Sequence, residues 1–198
     1  NSSSKVTVGP SESMSKSKRN VIDPENIINN YGADAVRFFI LSDSPPEKDV
    51  QWSDQGMLSS YKFVQKFWVL HHKIKNNIEE KHNGKEDIVL KKFTNHLISK
   101  ITHNLNNFSY NVIIANMHET YNFLYKHLET ELNSDDLSEC YKKILIIFSP
   151  VLPHLINECL SEMNYDKNNS WPKTEKKYLE KTNVDYVIQI NGKKRSLI

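Results

Sequence analysis

Between Ser53 and Met163 apolar residues recur every three or four positions almost without a break, and this pattern narrows the possible folds most. Behind Ser53, which is placed to cap a helix, the spacing runs Met57, Tyr61, Val64, Phe67 with Trp68, His71, Ile74, Ile78. Gly84 sits in a break, and Leu90, Phe93, Leu97, Ile101, Leu105 and Phe108 then resume the period. Ile113 with Ile114, Met117, Tyr121, Leu124 and Leu128 carry a third helix towards Asn133-Ser134. Leu137, Tyr141, Ile144, Leu145 and Phe148 open a fourth. Pro150 and Pro153 must interrupt it, because each removes a backbone donor, and Leu155, Ile156, Cys159, Leu160 and Met163 carry it on. Amphipathic helices on short connections pack as an antiparallel bundle. The expected fold is mainly α, with the bundle over residues 53–170.

The flanks read differently. Residues 1–20 contain seven Ser and no helical period, so they read as a short extended piece at Lys5–Val8, a turn at Gly9-Pro10 and a mobile loop. Asp23-Pro24-Glu25 is a helix start: an N-cap, a proline at the first helical position and an acid in the first turn. That helix ends near Gly32. A second, with Ala33, Val36, Arg37, Phe39 and Ile40, stops at Ser44-Pro45-Pro46. At the far end Val184, Tyr186, Ile188 and Ile190 alternate ahead of Asn191-Gly192, a hairpin signal. Residues 171–198 therefore open a small β-containing unit. The first residue is Asn1, and Ser196–Ile198 fall inside the expected strand, so the chain is expected to be a piece of a larger protein.

Composition excludes several functions. No apolar run approaches the roughly 18–20 residues of a membrane span. Cys140 and Cys159 lie on apolar stretches with no paired ligand spacing, which reads as two buried thiols in a reducing compartment, with no metal bound. Four cations against Glu12 in residues 1–20, and seven against three acids in residues 171–198, leave the middle acidic within a net charge of +2. That pattern speaks against a nonspecific nucleic-acid coat and for discrete anionic ligands at the ends.

The chemistry concentrates in Ser13-Met14-Ser15-Lys16-Ser17-Lys18-Arg19-Asn20. Three cations and several hydroxyls share one loop just ahead of a helix N-terminus. Such a loop can close over a triphosphate, with ammonium groups on phosphate oxygens and hydroxyls and backbone amides adding directed hydrogen bonds.

The string Ser13-Met14-Ser15-Lys16-Ser17 resembles the KMSKS signature of class I aminoacyl-tRNA synthetases. Asp23-Pro24 and Tyr31-Gly32-Ala33-Asp34-Ala35-Val36-Arg37 resemble the segment behind that signature in the Leu/Ile/Val/Met branch. Three further stretches are similar to the bacterial-type leucyl family: Ser42–Asp49 through Trp52, Leu152-Pro153-His154-Leu155 with Ser170-Trp171-Pro172, and Val187–Arg195. The resemblance implies an end of a catalytic domain with the signature loop and a stem-contact segment over residues 1–52. An anticodon-binding-type bundle over 53–170 and the first hairpin of a C-terminal tRNA-binding domain would come after it. It implies ATP, accompanied by Mg2+, leucine and tRNA(Leu) as ligands of the full-length ligase, which would be cytoplasmic and monomeric. Ser13, Met14, Ser15, Lys16, Ser17 and Lys18 would bind ATP, Lys16 would act on the transition state, and Lys193, Lys194 and Arg195 would touch RNA. Ser13 stands where the family has its first lysine, and Lys18 is the nearest cation to replace it.

The fragment is not expected to act alone, because no HxGH string is present. His71 and His72 point about 100° apart on a helix, so one is expected buried and the other solvated, without a shared site. His154 reads as a capping or packing residue. Most of Phe67, Trp68, Phe93, Phe108, Tyr121, Phe123 and Tyr125 read as core or helix packing, with base stacking by any one of them left open. Most of Lys62, Lys66, Lys73, Lys91, Lys92 and Lys100 read as solvated helix faces, with contact to tRNA phosphates left open. Two other readings stay open: a valyl, isoleucyl or methionyl synthetase fragment, and a stand-alone tRNA-binding helical module.

Overall fold

The computed structural model describes residues 9–43, 45, 47–165, 170–180, 187–190 and 193–197. The expected extended piece at Lys5–Val8, Ser44 and Pro46 of the proline stop, and the Asn191-Gly192 turn lie outside them.

The helices are α1 (Pro24–Tyr31), α2 (Ala33–Asp43), α3 (Asp54–Glu79), α4 (Ile88–Asn106), α5 (Tyr110–His127), α6 (Ser134–Phe148), α7 (Pro153–Glu162) and α8 (Lys176–Leu179). Strands β1 (Val187–Ile190) and β2 (Lys193–Leu197) pair antiparallel. The register is Val187↔Leu197, Ile188↔Ser196, Gln189↔Lys194 and Ile190↔Lys193, so Arg195 is the extra residue of a bulge.

Four of the eight helix starts named above are capped locally. The side chains of Asp23, Ser53, Asp87 and Asn133 each accept a backbone N–H from the first turn of the helix they precede. Gly32 ends α1 at φ 81°, a left-handed value that glycine adopts without a Cβ penalty. Helix α6 stops at Phe148 and α7 begins on Pro153, as the two prolines dictate.

Helix α6 is the centre of the bundle. It packs against α3, α4 and α7, and Leu137, Cys140, Tyr141, Ile144, Leu145, Ile147 and Phe148 are all buried. A helix apolar on so much of its surface needs neighbours on most sides. Helix α4 packs on α5 and α8, and α2 lies against α3, α5 and α7. The α4–α5 connection is so short that the two must reverse direction. Phe38 of α2 enters the main core, stacked on Phe63 at 4.5 Å between centroids. A second, smaller cluster of Ala35, Phe39 and Met57 packs with Trp52 and Tyr61.

The periodicity placed α3 to α7 but misaimed parts of two faces, and α8, which packs on α4, was not expected. On α3 the buried side chains are Met57, Ser60, Phe63, Phe67, Leu70, His71 and Ile74, while Tyr61, Val64, Trp68 and Ile78 are only partly covered. Phe63 and Leu70 were not in the expected stripe. Part of the α3 face is turned because α2 covers one side of it as well as the bundle. Phe108 lies past the end of α4 at φ 53° and is 61% exposed, so it is not a packing residue. Tyr125 is also exposed.

Cys140 and Cys159 are free and buried, and burial pushes their thiols up to about 11 and about 12. Among the described residues, no helix is long and apolar enough to cross a membrane.

Candidate functional site

Residues 11–20 fold back on themselves ahead of α1. The Lys18 amide donates to the Ser15 carbonyl and the Arg19 amide to the Lys16 carbonyl, both at 3.2 Å, and Arg19 has φ 52°. Asn20 closes the loop. Its Oδ1 accepts the Ser15 amide at 2.8 Å, and its Nδ2 donates to the Ser13 carbonyl at 3.3 Å. Asn20 was not among the expected site residues. The signal for it was an Asn closing a Ser/Lys turn, where its short side chain can bond nearby backbone.

The expected side chains gather on this loop in two ways. Ser15 Oγ and Ser17 Oγ lie 3.2 Å apart, and Ser15 Oγ also accepts the Lys18 amide at 3.3 Å. Ser13 and Met14 line a groove of about 690 Å³ that residues 11–14, Asn20 and residues 49–52 enclose. Gln51 donates to Ser11 Oγ at 3.1 Å across that groove. Lys16 is exposed and makes no ion pair among the described residues. Lys18 instead meets Glu12 at 2.9 Å, in a pair that is half in solvent. Such a pair is worth little and is easily given up. Lys193, Lys194 and Arg195 have their backbone on β2, and their side chains lie outside the described residues.

The α1–α2 unit behind the loop is tied to the bundle by two charged residues one turn apart. Arg37 donates from Nη2 to the Pro150 carbonyl at 2.7 Å and from Nε to the Val151 carbonyl at 3.2 Å. The buried Asp34 carboxylate accepts the Leu155 amide at 2.7 Å, the His154 amide at 3.4 Å and His154 Nδ1 at 3.0 Å. His154 is therefore a capping partner.

His71 and His72 depart from expectation in one respect. His71 is buried and His72 half-exposed, yet both reach the same Glu162 oxygen, at 3.3 and 3.7 Å. Trp68 lies against both rings. The two side chains are long enough to overcome the angle between their Cα–Cβ bonds. Lys75 reaches that oxygen too, at 3.3 Å, so the carboxylate already has its cation. Burial holds the His71 imidazole below its usual range despite Glu162.

Of the basic residues expected to be solvated, Lys91 is not. It is 17% exposed and paired with Asp136 at 2.8 Å and Glu86 at 3.0 Å. Burial opposes its charge, but the two carboxylates outweigh that and hold it above the ordinary lysine range. Lys66 and Lys73 lie over the rings of Tyr121 and Tyr125 at 4.6 and 4.7 Å.

Comparison with known proteins bears on the same segments. Residues 87–198 match the family described as the anticodon-binding domain of tRNA ligase, and residues 4–53 match class I tRNA synthetases of the I, L, M and V group. A leucine–tRNA ligase of Orientia tsutsugamushi (strain Boryong) is 40% identical over 200 residues, covering 97% of this chain and 23% of the relative. One from Bartonella bacilliformis is 37% identical over 97% of the chain and 23% of the relative. The chain thus spans about a quarter of the length of the curated relatives it matches. The fold is shared with a crystal structure of the ternary complex of Agrobacterium radiobacter K84 agnB2 LeuRS, tRNA and LeuAMS. The TM-score is 0.79 at 22% identity, over 93% of this chain and 25% of that one.

Proposed function

The chain belongs to the anticodon-binding domain family of tRNA ligases, and on that premise we propose that it is part of a leucine–tRNA ligase. In this reading residues 1–52 close the catalytic domain, residues 53–170 are the tRNA-contacting bundle and residues 171–198 open the C-terminal tRNA-binding domain. The proposed ligands of the parent enzyme are ATP, leucine and tRNA(Leu), and its proposed place is the cytoplasm. The observation that carries the reading is the loop: a turn that sets an exposed Lys16 beside the Ser15 and Ser17 hydroxyls ahead of α1.

The loop's part in the reaction comes from its donors. The leucine carboxylate attacks the α-phosphorus of ATP and pyrophosphate leaves, so negative charge grows on the phosphate oxygens. Lys16 supplies an ammonium there, and stabilisation that grows towards the transition state raises the rate as well as the affinity. The Ser15 and Ser17 hydroxyls orient the phosphates. Lys18 can exchange Glu12 for a phosphate and replace the charge that Ser13 lacks. Glu12 is the loop's single carboxylate, and one carboxylate alone is too few to hold Mg2+ without the phosphates. A divalent ion accompanying ATP would be held by the phosphates. Lys193, Lys194 and Arg195, on a bulged ribbon, are proposed to contact the RNA backbone.

Leucine-dependent ATP–pyrophosphate exchange by the parent enzyme tests this, with isoleucine, valine and methionine offered separately. Exchange is expected with leucine alone, and Lys16→Ala is expected to lower it on the order of 10²–10³-fold. Activity within tenfold of wild type would remove Lys16 from the chemistry. Exchange with another amino acid would move the chain to a sister family.

A further inference from the structure

The corner between α6 and α7 receives its capping from another part of the chain. Leu152 stands at the N-cap of α7 and offers no side-chain acceptor. Asp34 fills that role from α2 instead, with its carboxylate on the first amides of α7. Arg37, three residues on and on the same face of α2, takes the carbonyls of Pro150 and Val151 that leave α6. An anion thus sits where α7 begins, and a cation holds two carbonyls of the connection that follows α6. Two charges on one helix turn therefore grip both sides of a corner more than a hundred residues away in sequence.

The gripped helix also carries the signature loop. Gly32 joins α2 directly to α1, and the loop leads into α1 at the Asp23 cap. A second support runs through the groove wall. Trp52 packs edge-on against Phe39 of α2 at 5.3 Å, and the neighbouring Gln51 holds Ser11. Both supports of the loop meet on α2, and any tilt of α2 against the bundle moves them together.

We propose that Asp34 and Arg37 are positioning residues for the phosphate chemistry of the loop, the bundle setting the place of Lys16 through their grip on the α6–α7 corner. This rests on the reading of the loop as an ATP-binding one. A misplacement of about 1 Å at a reacting group can cost on the order of 100-fold in rate, so a clamp remote from the substrate is enough to matter.

The test is a double-mutant cycle in the full-length parent enzyme, read by leucine-dependent ATP–pyrophosphate exchange with active molecules counted by the adenylate burst. Asp34→Ala is expected to lower kcat roughly 10–100-fold with the leucine KM unchanged. Asp34→Asn, which keeps a cap acceptor, is expected to restore most of the rate. In a Lys16→Ala background the same Asp34→Ala change is expected to cost less than about threefold, since it acts through a group no longer present. Equal losses in both backgrounds, or an Asp34→Ala rate within twofold of wild type, would overturn the proposal. Where Asp34→Ala lowers stability too far to assay, Arg37→Met runs the same cycle from the other end of the clamp. A wild-type enzyme inactive with leucine would overturn the reading of the loop and the clamp's role together. Wild-type activity that collapses in Lys16→Ala leaves that reading standing, whatever Asp34 does.

Discussion

Lys16 and Lys18 sit two residues apart in one loop and differ in the partner each finds. Glu12 pairs with Lys18 and leaves Lys16 to solvent, so one cation is held back and the other presented. His71 makes the opposite case, a titratable group drawn entirely inside. Its Nδ1 lies 3.0 Å from the Tyr141 hydroxyl, and Glu162, Lys75 and His72 surround its other side. Desolvation lowers its pKa, as it does for His118 beside Lys66. The folded chain therefore resists protonation while an unfolded histidine, near pH 6.5, does not. Stability from this source is complete above about pH 6.5 and is lost as the pH falls below it, by at most about 1.4 kcal/mol per pH unit for one group. Thermal melts between pH 7 and pH 5 should show the midpoint falling, and His71→Gln should flatten that slope. An unchanged slope in the variant would mean that His71 is not the group responsible.

At the scale of elements, connections carry as much information as helices. Gly84 lies between α3 and α4, and its amide donates to the Leu132 carbonyl at 3.0 Å. A Cβ built there would lie 2.3 Å from that backbone oxygen. Chain 82–84 and chain 132–134 run side by side, tied also by His82 and Asn133. Gly84→Ala must push the strands of this bridge apart and should destabilise the chain by about 1–3 kcal/mol, measured by urea unfolding. A loss under a few tenths of a kcal/mol would show that the α3–α4 connection moves aside freely. The break at Gly84 was legible in sequence as a gap in the period. The reason for glycine was not, because the obstructing carbonyl comes from the α5–α6 connection. The same holds for α7, whose start on Pro153 was readable and whose acceptor, Asp34, was not.

At the scale of the whole molecule, α2 joins the loop-bearing segment to the bundle through Phe38, which is 2% exposed and stacked on Phe63. Phe38→Ala should cost about 3–5 kcal/mol and still leave one cooperative transition, since both segments share the core it belongs to. Two separate transitions in calorimetry would instead show the segments melting independently. Helices α1 to α7, their order and the two proline-forced ends were legible because period, caps and ring constraints act within a few residues of one another, whereas α8 was not expected. The Ser/Lys loop was legible too, since its hydroxyls and cations are consecutive in the chain. The turned face of α3, the exposed Phe108, the pairing of Lys91 and the meeting of His71 and His72 on Glu162 were settled only in three dimensions. Each depends on which distant helix lies alongside, and burial or charge pairing with a remote segment leaves no local period to read. The Asp34–Arg37 grip belongs to that second group. Sequence set where helices start, stop and present charge, whereas tertiary packing chose which charge each end would meet.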